Sequence, residues 1–139
     1  MVGHVLLVGV VVDEDAYHAL EGAGNRADAE LAGMTAFFGW LTEHRHLHRV
    51  LHQIDEVDES LAREFYMSVS VPYAERLARA TDDGDVQPID PELLAYSLMG
   101  LSHFLSMRWI LWTGQEFPQE LLPDLQRIVR GMLRGAVDA

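Results

Sequence analysis

The residues in this chain best suited to chemistry are its histidines. His44, His48 and His52 recur at four-residue spacing within HRHLHRVLH. On one continuous helix that spacing would align three imidazoles on a face, where they could bind a divalent metal. The plainer reading is a partly solvated helix surface that titrates near neutral pH, and no metal is expected. His103 differs because it interrupts an apolar run, with Met99 and Met107 four residues to either side. A buried imidazole needs a hydrogen-bond partner, so His103 is either a satisfied core residue or the polar anchor of a pocket. The two methionines suit an apolar ligand, although plain core packing is their more frequent use. Arg108, beside Trp109 and Trp112, is placed to snorkel, stack on an indole or pair with an acid. Tyr66, Tyr73 and His103 would supply acid–base groups if they converged on one cavity. Ser102 and Ser106 read as helix-surface or helix-contact residues rather than nucleophiles. A Ser–His–Asp signature, a Gly-rich phosphate loop and an HExxH motif are all missing, so no cofactor is expected and no catalytic residue is assigned.

These groups need elements to hold them, and the chain is organised around Asp90 to Gly114, DPELLAYSLMGLSHFLSMRWILWTG. Asp90 suits an N-cap, Pro91 the first helical position and Glu92 the positive end of the dipole. Gly114 suits the left-handed position that closes a helix. Between these ends lie two apolar stripes. Leu94, Leu98, Leu101, Leu105 and Trp112 form one, and Tyr96, Met99, His103, Met107 and Ile110 the other. A helix apolar on both sides is expected to pack on its own domain and on a second subunit or a ligand.

Upstream, Val5 to Val12 has the β-branched density of a strand, one that would pair with its copy in a dimer. A short helix is expected over 13–21, then a break at EGAGN. Asp28 to about His44 forms a helix with Leu31, Met34, Phe38 and Leu41 as its stripe, Phe37 and Trp40 beside it. A short helix over Leu47 to Ile54 follows. Asp58 then caps a longer one to about Thr81, with Ala62, Tyr66, Val69, Tyr73 and Leu77 on one face and a kink at Pro72. DDGDVQP is a loop. The last helix spans about Pro118 to Val137, with Pro123 implying a bend or a later start.

At 139 residues the chain is long enough for one domain with a substantial core, and 49% hydrophobic content makes it globular. The net charge is −12 and every one of the ten basic residues is Arg. Such a surface repels nucleic acid and anionic membrane. Arg127, Arg130 and Arg134 are best explained as complements to a helix dipole. Without cysteine there are no disulfides and no thiolate sites. No segment is long enough to span a bilayer, MVGHVLLVGVVV lacks a basic flank for a signal peptide, and the cytoplasm is the expected location.

The run LLAYSLMGLSHFLSMRWILW, a short polar turn and QELLPDLQRIVRGML resemble the C-terminal domain of TetR-family transcriptional regulators. FFGWLTEHRHLHRVLHQIDEVDESLAREFY is similar to the middle of the same domain, where a helix ending in Glu-His precedes a short helix and a longer one. The similarity covers roughly residues 28–136 and rests on pattern. It implies an all-α bundle over 28–139, preceded by an atypical segment over 1–27. Its last two helices would pair with those of a second subunit as a four-helix bundle, and its cavity would be enclosed by the preceding helices. It also implies a helix break near His44, which would spoil the alignment of His44 with His48 and His52. The family's DNA-reading helix-turn-helix has no counterpart in residues 1–27, which hold one Arg and no Lys.

Two functions are expected from this. The first is a homodimeric effector-sensing module that binds a hydrophobic small molecule without reading DNA. The alternative is a stand-alone enzyme that acts on a hydrophobic biosynthetic intermediate in the same cavity. Phe37, Trp40, Tyr66, Tyr73, Met99, His103 and Met107 are expected to line the cavity. Leu121, Leu125, Ile128 and Met132 are expected at the dimer interface.

Overall fold

The structure is a computed structural model that describes residues 4–7, 10–13 and 25–135. Two short strands, β1 (His4–Leu7) and β2 (Val10–Asp13), pair antiparallel with Val5 opposite Val12 and Leu6 opposite Val11. The apolar run expected as a single strand over 5–12, paired with a second copy, is therefore two strands paired within the chain. This arrangement gives their backbone groups the partners that a lone strand lacks. The short helix expected over 13–21 lies, beyond Asp13, outside the described residues.

The regular structure from residue 26 to residue 134 is helical. Helix α1 (Arg26–Glu43) starts where the Asn25 side chain accepts from the Asp28 N–H at 2.9 Å. It buries Met34, Phe37, Phe38 and Leu41, the spacing of one helix face. Helix α2 (Arg45–Val57) follows His44 directly, without a side-chain cap. It is longer than the Leu47–Ile54 segment expected, and none of its described side chains is fully buried. Helix α3 (Glu59–Asp82) opens at Asp58, which accepts from the Leu61 N–H at 3.0 Å, and continues through Pro72. Ala62, Val69, Tyr73 and Leu77 are its buried face.

Helix α4 (Pro91–Ser106) begins as expected, with Asp90 accepting from the Leu93 N–H at 2.9 Å. It continues through a π turn over Met107–Leu111, where the Trp112 N–H reaches the Met107 carbonyl at 3.0 Å. Gly114 closes the segment at φ 71°, its N–H on the Ile110 carbonyl at 2.9 Å. A single 3₁₀ turn, Gln119–Leu121, leads into α5 (Leu122–Arg134), so Pro123 sits in a first turn and marks a later start. The 83–90 loop is tied to the end of α5 by Gln87. Its N–H donates to the Leu133 carbonyl at 2.7 Å and its amide to the Met132 carbonyl at 2.9 Å. At Gly135 (φ 83°) a Cβ would lie 2.9 Å from Gln87 Oε1, so the turn that ends α5 requires glycine.

The core lies where α1, α3, α4 and α5 meet. Met34, Phe38 and Leu41 face Tyr73 and Leu77, with Leu94, Leu98 and Ile110 from α4 and its π turn, and Leu125, Val129 and Leu133 from α5. Phe117 stacks on Phe38 at 4.5 Å. Each such side chain contributes about 1.5–3 kcal/mol by leaving water. The leucine stripe of α4 divides accordingly. Leu94 and Leu98 are buried, Leu101 and Leu105 half-buried, and Trp112 is exposed. Of the four residues expected at a dimer interface, Leu125 belongs to the chain's own core, because α5 buries positions 125, 129 and 133. Leu121 and Met132 pack half-buried against that core, and Ile128 is exposed.

One polar pair crosses the core. Tyr73 OH donates to Glu30 Oε2, and Arg26 Nε lies 3.4 Å from Glu30 Oε1. Burial raises the Glu30 pKa above the usual carboxylate range, against the pull of Arg26 and Tyr73. Burial and the facing Glu30 push the Tyr73 phenol well up. The arginines of α5 find acids as well as the dipole, with Arg130 3.6 Å from Asp28 and Arg134 3.6 Å from Asp85.

Candidate functional site

A cleft of about 350 Å³ opens between α2, α3 and α4, with Phe37 of α1 at its floor. On α4, Tyr96, Met99, Gly100 and His103 share one face at spacings of three and four and form one wall. On α2, His48, His52 and Asp55 do the same from the opposite side. Phe65 and Tyr66 of α3, in edge contact at 5.3 Å, complete the apolar lining. Ser70 Oγ donates to Tyr96 OH at 3.1 Å and joins α3 to α4 along this rim. One end of the cleft is thus aromatic and the other is imidazole.

The imidazole end is a triangle. The His48 and His103 ring centroids are 5.5 Å apart, those of His52 and His103 5.4 Å, and those of His48 and His52 6.3 Å. The rings lie within 29° of parallel. The nitrogens of near-parallel rings do not converge, and among the described residues no three His, Asp or Glu side chains are placed to hold a metal ion. Burial, then the charges His103 and His52 would carry, lowers the His48 pKa to about 4. His103 is lowered by burial and by His52, and Asp55 works in the opposite sense. Burial and Asp55 raise the Tyr66 phenol. At neutral pH His48 is therefore an uncharged imidazole.

His44 does not join His48 and His52 on one face, because the helix breaks at the position expected. His44 is the junction between α1 and α2, where it stacks on Trp40 at 4.6 Å with its Nδ1 2.8 Å from the Trp40 carbonyl oxygen. His103 takes the third place from across the cleft. Of the seven residues expected to line the cavity, Phe37, Tyr66, Met99 and His103 do so. Met107 instead lines a shallower groove on the far side of the histidines, with His48, Arg49, His52, Gln53, Leu111 and Trp112. Trp40 is occupied with His44, and Tyr73, two turns beyond Tyr66, is sealed in the core against Glu30. Tyr73 and Met107 fall outside the cleft for the same reason. An aromatic stripe runs the length of a helix, whereas the cleft is only a few turns long.

The sequence offers His48 and His52 as a solvated helix surface or as metal ligands, and it does not single out Asp55, Phe65, Tyr96 or Gly100 for the site. For Tyr96 the signal existed, since it shares the stripe of Met99 and His103. Asp55 lies three residues after His52, but only the placement of α2 gives that spacing meaning. Ser102 and Ser106 are buried and donate back to the Leu98 and Ser102 carbonyls, so neither is a nucleophile. Arg108 stacks on Trp109, its Cζ 5.0 Å from the ring.

No protein-family model matches the chain, and no curated protein is significantly similar to it. Among the described residues, no helix is long and apolar enough to cross a membrane.

Proposed function

We propose that this chain is a small-molecule-binding, dimer-forming TetR-like domain that senses an apolar effector. The observation that carries the reading is the cleft. A recess of about 350 Å³ between helices, lined by four aromatic rings and a methionine with polar groups at one end, has the make-up of a ligand site. The TetR-like assignment draws support from the helix order, a helix ending in Glu-His, a second helix, a longer third and a final pair. Dimerisation is supported by the large apolar side chains left exposed on that final pair and its π turn, Phe104, Trp112 and Ile128. A net charge of −12 opposes binding to duplex DNA.

An enzymatic reading has one observation in its favour. His48 is held neutral beside His103 and Asp55 at the edge of an apolar recess, and an uncharged imidazole can act as a general base. Native mass spectrometry of gently purified protein tests the first reading, which expects one small apolar molecule per chain. Incubating the released compound with fresh protein then separates the two. Recovery unchanged supports sensing, and conversion supports catalysis.

A further inference from the structure

The composition of the cleft bears on the chemistry of its ligand, granted the binding reading above. Its lining contains neither Arg nor Lys, so its histidines are the groups there able to become cationic. Among the described residues, none of the three imidazoles hydrogen-bonds to the chain, although each ring carries two nitrogens that bond well. His48 and His103 are partly buried and His52 is exposed, so ring nitrogens at this end of the recess are open to a polar group on a ligand. His48 and His103 resist charging, because each is partly buried and faces another imidazole at 5.4–6.3 Å. An anion placed among them would reverse that balance. It would supply the opposite charge, accept a hydrogen bond from a protonated ring and offset the repulsion between neighbouring imidazoles.

We propose that the His48–His52–His103 triangle is an anion-recognition site, and that the ligand is an apolar acid whose carboxylate binds there with uptake of a proton from solvent. The hydrocarbon part would lie against Phe37, Phe65, Tyr66 and Met99. The other charged and titratable groups facing the triangle are few. On α2, Asp55 borders the cleft and Arg49 the groove behind it. Tyr66 faces it from α3 and Tyr96 from α4. Asp55 is exposed and favours a proton on His103, so it eases the first protonation while opposing the incoming anion. Arg49 adds positive charge from the outer side. The cluster therefore needs the acquired proton for a net attraction, and this couples affinity to pH.

A matched pair of probes tests this by isothermal titration calorimetry, naphthalene-2-carboxylate and its uncharged carboxamide. The carboxylate should bind at least tenfold more tightly at pH 6 than at pH 8. In buffers of different ionisation enthalpy it should take up about one proton. The carboxamide should show no pH dependence. His103→Gln and His48→Gln should each remove most of the carboxylate's pH dependence with the helical circular dichroism unchanged. Equal binding of both probes at both pH values would overturn the anion site while leaving the cleft a ligand site. Tighter carboxylate binding at pH 8, or unaltered pH dependence in both variants, would also overturn it. No binding of either probe at any pH would overturn the binding reading itself.

Discussion

At the scale of single residues, the two polar clusters make opposite demands on their surroundings. His48 is uncharged in the folded chain down to about pH 4, whereas in the unfolded chain it takes a proton near its ordinary 6.5. Its depressed pKa contributes stability that is present above pH 6.5 and lost as the pH falls toward 4. The ring is half-exposed, so solvent screening limits the loss to about 1–2 kcal/mol. Urea unfolding at pH 7 and pH 4.5 should show the difference, and His48→Gln should flatten it. Tyr73 is the opposite case, since its hydroxyl is fully buried and already partnered. Tyr73→Phe leaves a Glu30 oxygen without its donor in the core and should cost about 1–3 kcal/mol, measured by urea denaturation at pH 7. An unchanged midpoint would mean that water replaces the hydroxyl.

At the scale of elements, helix starts were legible where an aspartate makes the cap. Asn25, Asp58 and Asp90 each accept from the N–H three residues on, and two of the three were read directly from the sequence. Less legible were the features set by packing. The π turn at Met107–Leu111 has no local signature, and it brings Ile110 into the core instead of onto the second stripe. The pairing of β1 with β2 was hidden because Gly9, the one break in the apolar run from Val5 to Val12, also fits within a single strand. The site was half legible for the same reason. Stripes on α3 and α4 showed which faces are apolar, but not which turns of those faces lie opposite α2. Pro72 gives an element-scale prediction. It is exposed inside α3, where its ring forfeits one backbone hydrogen bond. Pro72→Ala should raise stability by about 1–2 kcal/mol in thermal or urea unfolding, and an unchanged midpoint would contradict this.

At the scale of the whole molecule, two surfaces remain to be accounted for. Phe104, Trp112 and Ile128 expose apolar side chains on the last two helices and the turn between them. Multi-angle light scattering at micromolar concentration should give about twice 15.6 kDa, and a clean monomer would remove the dimer from the account. The other surface is the cleft, and Gly100 offers direct access to it. Gly100 lines the cleft from mid-α4, and a Cβ built there meets nothing within 4 Å. Gly100→Ala should therefore stabilise the helix by about 0.5–1 kcal/mol. A larger side chain at the same position should keep the fold and fill the recess. The most direct measurement is native mass spectrometry of gently purified wild-type protein beside Gly100→Leu. The wild type should carry one small apolar molecule per chain, and Gly100→Leu, equally helical and at least as stable, should carry none. A wild-type chain at its bare mass, or an adduct held equally by both proteins, would contradict the cleft as the binding site.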